Sequence, residues 1–102
     1  MPMAVLASRT LVAIDSSGRQ FNVRLELGTP YRCAENDWAC AVALDGLFEY
    51  LWDQHGVDAF QALIAAQAYA RTLLTDFVER GGKLLNAVDG APLDVDVLFT
   101  QG

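Results

Sequence analysis

From Gln20 to Leu27 polar and apolar side chains alternate without a break, with Phe21, Val23, Leu25 and Leu27 set against Gln20, Asn22, Arg24 and Glu26. A period of two belongs to a strand with one dry face and one wet face. Residues 5–14 are rich in Val, Leu, Ile and Thr, and Asp15-Ser16-Ser17-Gly18 separates the two runs. Asp and Ser bond the local backbone and Gly tolerates positive φ, so an antiparallel hairpin is expected.

Gly28-Thr29-Pro30 ends the second strand, and the polar run to Asp37 reads as a loop. A third strand then puts Trp38, Cys40, Val42 and Leu44 on the core face and Ala39, Ala41 and Ala43 on the other. Asp45-Gly46 is a two-residue hairpin signal; it pairs Leu44 with Leu47 and leads into a fourth strand over 47–53. That register turns Leu47, Glu49, Leu51 and Asp53 inward and Phe48, Tyr50 and Trp52 outward. A longer loop reverses the facing, and a short helix using Leu47, Phe48, Leu51 and Trp52 is the third arrangement.

After Gly56 the period changes. Leu63, Ala66, Ala70, Leu74 and Phe77 recur at helical spacing, with Phe60, Leu73 and Val78 at the margins and Gln61, Thr72, Asp76 and Glu79 opposite. Asp58 is placed to cap the N-terminus, Arg80 complements the dipole at the other end, and Gly81-Gly82 stops the run. The spacing predicts one helix over residues 58–80. Beyond it, Leu93, Val95, Val97 and Phe99 alternate with Asp94 and Asp96, which suits a C-terminal edge strand, a frayed terminus or an arm exchanged with a second subunit. The expected fold is α+β: a four-stranded antiparallel sheet followed by one long helix packed on one face (ββββα). Residues 1–82 form the sheet-plus-helix domain, and residues 83–102 a tail.

A length of 102 residues with 53% hydrophobic and 20% charged residues fits one globular domain with a modest core. Seven basic residues, scattered along the chain, face thirteen acidic ones, so the net charge of -6 would repel a phosphate backbone and disfavours nucleic acid. Nothing in the sequence resembles an export signal or a membrane span, and two cysteines make no disulfide framework. A cytoplasmic protein with reduced thiols is expected.

The series Trp38-x-Cys40, Gly46, then Gly56-x-Asp58-x-x-Gln61-Ala62-Leu63 resembles an uncharacterised family of small bacterial proteins, a domain-of-unknown-function family, over roughly residues 9–80. The resemblance implies a bacterial source and strands followed by one long helix. It carries no assigned activity, so it transfers no functional residue.

The chemistry-bearing residues are few. His55 is the single histidine; beside Asp53 and Asp58 it reads as an ordinary turn residue at the helix entrance, without the second His or Cys that catalysis or metal binding needs. Cys33 and Cys40 are too far apart for C-x-x-C chemistry. Cys40 reads as a core thiol, and Cys33 as a surface thiol whose pKa the neighbouring Arg32 could lower. Trp38 and Phe60 read as anchors between helix and sheet, Gln61 as a brace for the helix entrance, and Gln67 as the edge of its apolar face. No cofactor motif is present. Phe48, Tyr50 and Trp52 are the candidate partner-binding residues, because contiguous exposed aromatics mark interfaces. The leading expectation is a non-enzymatic module that binds a protein partner or itself. An acidic antidote to a basic partner comes second, and a small hydrolase or thiol enzyme using His55 or Cys33 third.

Overall fold

The computed structural model describes residues 4–99. In chain order these form β1 (Val5–Ile14), β2 (Gln20–Gly28), β3 (Tyr31–Ala34), β4 (Asp37–Cys40), β5 (Val42–Asp45), β6 (Gln54–Gly56), α1 (Ala59–Glu79), β7 (Lys83–Asn86) and α2 (Val95–Leu98). The class is α+β with antiparallel pairing and one main helix. The strands form two sheets, ordered β5-β2-β1-β7 and β3-β4-β6, in place of the expected single sheet of four.

The β1–β2 hairpin forms as the alternation predicts, from Val5↔Gly28 to Ile14↔Gln20. Its turn is tied by the Asp15 carboxylate, which accepts from Ser17 N at 2.9 Å, Ser17 Oγ at 2.6 Å and Arg19 N at 3.0 Å. Cross-strand pairs fill the inner face: Leu11 lies opposite Val23, and Leu25 opposite Leu44.

The expected third strand is cut at Ala41. Cys40 pairs with Gln54 in the small sheet, Val42 pairs with Leu27 in the large one, and the Ala41 carbonyl accepts from Gly28 N at 2.8 Å at the corner. One run of alternating residues thus serves two sheets. The expected 29–37 loop contains β3, which pairs with β4 through Tyr31↔Ala39 and Arg32↔Trp38.

The fourth strand over 47–53 does not form. Asp45-Gly46 makes no two-residue hairpin: the chain folds back so that Leu47 N and Phe48 N both donate to Leu44 O at 3.0 Å, and among the described residues β5 is left as an edge strand with β2 as its one partner in the sheet. Gly46, at φ 99°, backs onto β2 so closely that a Cβ would sit 2.2 Å from Asn22 O. Leu47 and Leu51 turn onto the core from this irregular segment while the aromatics stay outside.

Helix α1 matches its prediction within a residue at each end. The Asp58 carboxylate accepts from Gln61 N at 2.8 Å, and Arg80 closes the C-terminus. Its fully buried seam is Ala62, Ala66, Ala70 and Leu74, one residue earlier at the start than expected; Leu63, Leu73 and Phe77 flank it. Three alanines let the helix approach both sheets closely, and Leu74 supplies bulk worth about 1.5–3 kcal/mol before entropy. Trp38 packs against this core, but Phe60 is 69% exposed and anchors nothing.

The edge strand beyond the helix is β7, which pairs with β1 through Leu11↔Asn86 to Ile14↔Lys83 and buries Leu84. The expected strand over 93–99 is instead α2, since the Asp94 carboxylate caps a turn by accepting from Asp96 N at 2.8 Å.

Candidate functional site

The small sheet turns one face to α1 and the other away from it. Tyr31 and His55 both lie opposite Ala39, so the three share the outer face, and side-chain alternation adds Asp37 to it. Ala39 is fully buried yet stands outside the main core cluster, consistent with the larger neighbours on either side covering it. Between Arg32 and Ala34 the β3–β4 register shifts, leaving Cys33 as the extra residue of a bulge. Bulges re-aim side chains, and this one carries Cys33 toward Asp37.

The outcome is a polar cluster. His55 Nδ1 lies 2.9 Å from Asp37 Oδ1, and ligand atoms of Cys33, Asp37 and His55 all lie within 4.8 Å of one another. Beside them the Tyr31 hydroxyl donates to Asp53 Oδ2. That hydrogen bond, with lost hydration and the Asp53 charge, pushes the Tyr31 phenol up to about 12. The Cys33 thiol is raised above its ordinary value by partial desolvation and then by the Asp37 and Asp53 carboxylates. Arg32 does not lower it; the guanidinium donates to Ala34 O at 3.3 Å.

His55 is therefore a strand residue with a cysteine and a carboxylate beside it, which corrects its reading as an isolated turn histidine. Spacing of 18 and 22 residues from Asp37 and Cys33 hid the group. A thiol nucleophile needs a stabilised thiolate, and Cys33 has the opposite bias; it makes no hydrogen bond to the ring among the described residues. Cys40 is buried as expected, its thiol 3.2 Å from Gly28 O.

The three aromatics singled out in the sequence lie on the irregular 46–53 segment that runs into this face, not on a strand. Phe48 is 38%, Tyr50 70% and Trp52 72% exposed. Tyr50 and Trp52 meet edge to face, with centroids 5.4 Å apart. From Asp45 to Asp58 the chain carries Asp45, Glu49, Asp53 and Asp58 and no Lys or Arg. Gln67, elsewhere, borders a groove of about 300 Å³ walled by Leu25, Leu27, Leu98 and Phe99.

Residues 7–94 match DUF6968, a domain of unknown function. The chain belongs to the DUF6968 family. The match runs past α1 and through β7, so the DUF6968 pattern extends beyond the 9–80 stretch on which the sequence resemblance rested. No curated protein and no solved structure matches the chain. No described helix is long and apolar enough to cross a membrane.

Proposed function

We propose that this DUF6968 protein is a non-enzymatic protein-binding module that receives a basic segment of a partner, arginine-bearing and partly apolar, on the Tyr50–Trp52 pair. The observation that carries the reading is the pairing of two rings, each about 70% exposed, inside a stretch with four carboxylates and no cation. Exposed indole and phenol faces attract a guanidinium by cation–π contact, and surrounding carboxylates steer it there. A second copy of this chain is disfavoured, because an isologous contact through the patch would bring the same carboxylates together.

Titration of the Trp52 fluorescence with basic, neutral and acidic peptides of equal length and apolar content tests this. The basic peptide should bind, weaken with added salt, and lose about tenfold or more in affinity to Trp52→Ala. Equal binding of all three peptides would overturn the reading. So would sedimentation showing a dimer that Trp52→Ala dissociates.

A further inference from the structure

We infer that Cys33, Asp37 and His55 form a binding site for a borderline divalent transition metal of the zinc class. The three donors are a thiolate sulfur, an imidazole nitrogen and a carboxylate oxygen, the mixture that zinc accepts and that calcium and magnesium do not.

Metal–ligand bonds of 2.0–2.3 Å around a tetrahedron put neighbouring donor atoms about 3.3–3.7 Å apart. His55 Nδ1 and Asp37 Oδ1 are already closer than that, at 2.9 Å, and the widest separation in the group is within 4.8 Å. Closure therefore asks for an ångström or so of side-chain rotation. Cys33 and His55 are exposed and Asp37 is only partly buried, so rotation meets little packing.

The backbone beneath is fixed. Asp37 begins β4, His55 pairs across from Ala39 on β6, and the β3 bulge supplies Cys33. Three strands of one small sheet thus converge on one point from outside the core. Thiolate and carboxylate balance the charge of a divalent ion, and the His55–Asp37 contact is exchanged for two metal bonds. A fourth position faces solvent, with the Asp53 carboxylate held nearby by Tyr31.

Cobalt titration of the full chain, freed of metal by a chelator, tests the site. One Co²⁺ per chain should bind with a thiolate-to-cobalt charge-transfer band and the d–d intensity of a tetrahedral site, and Zn²⁺ should displace it. Cys33→Ser should abolish the charge-transfer band, and Asp37→Asn or His55→Ala should weaken binding at least about tenfold. The absence of a charge-transfer band in the wild type, or its survival in Cys33→Ser, would overturn the assignment. Alkylation of the native chain gives a readout independent of variant folding. Zn²⁺ should slow modification of Cys33 at least about tenfold, and an unchanged rate would overturn the site equally.

Discussion

Gly56→Ala is the substitution whose effect follows most directly from the geometry. The glycine sits where β6 passes beneath the first turn of α1. A Cβ there would lie 2.5 Å from Ala62 N and 2.6 Å from the Gln61 carbonyl carbon, where ordinary contact is 3.4–4 Å. Both atoms are backbone, so no rotamer relieves the overlap, and the Asp58 cap pins the same turn. Helix or strand has to retreat by most of an ångström. Overpacking of this kind costs about 1–3 kcal/mol, and the stiffer unfolded chain of alanine returns about 0.4–1 kcal/mol. A net loss of about 1–2 kcal/mol out of a stability of about 5–15 kcal/mol lowers the melting midpoint by roughly 5–15 °C. Thermal and urea unfolding should agree. A midpoint equal to or above that of the wild type would refute the close approach of helix and strand.

Leu74→Ala empties the bulkiest position of the buried helix seam and should cost about 2–5 kcal/mol in urea unfolding, a loss below 1 kcal/mol being incompatible with its packing. Tyr31 ionises late because the folded phenol, near 12, lies above its ordinary value of 10.0. The stability it contributes is complete below pH 10.0 and fades as pH rises toward about 12. An alkaline absorbance titration should show a late phenol that Tyr31→Phe removes and Asp53→Asn shifts back; an unshifted Tyr31 in Asp53→Asn would contradict the hydrogen bond. Asp15 runs the other way. Hydrogen bonds from the Ser17 hydroxyl and the Arg19 N–H hold its pKa below 3.8, so its contribution is present above that value and is lost as pH falls through the folded pKa. Asp15→Asn should therefore destabilise at neutral pH and converge on the wild type in acid, and parallel curves would count against the turn.

Helix α1 was legible because every local signal agreed: a capping aspartate, a helical stripe, and glycines at the end. The change of sheet at Ala41 was not. Trp38, Cys40, Val42 and Leu44 keep one parity through the corner, so alternation reads as a single strand. Strand β3 was hidden for the opposite reason, since all four of its residues are exposed and strand periodicity is visible only where one face is dry. Asp45-Gly46 signalled a turn correctly, but its glycine answers to the crowding at Asn22 rather than to a hairpin. Val95 and Val97 alternate with aspartates as a strand would, yet the Asp94 cap makes them a helix.

The candidate site was half legible. Phe48, Tyr50 and Trp52 stand out in the sequence because the register expected from Asp45-Gly46 sets three aromatics together facing outward; the strand is absent, but the rings are exposed on the irregular segment that replaces it. Cys33, Asp53 and His55 are visible singly in the sequence but read as bland, and Tyr31 and Asp37 carry no signal of their own, because only the pairing of β3, β4 and β6 assembles the five. The usable trace was the spacing by two, Tyr31-x-Cys33 and Asp53-x-His55, which puts each pair on one face once strands are assumed. None of these residues belongs to the core cluster, and neither does Trp52. Folding constrains the identity of Cys33, Asp37, His55 and Trp52 little, so substitutions at these four should register in ligand binding with melting nearly unchanged. Gly56 links the two regimes: it seats the helix on β6, the strand that carries His55. A variant at Gly56 should therefore weaken cobalt binding and stability together, whereas Cys33→Ser separates them.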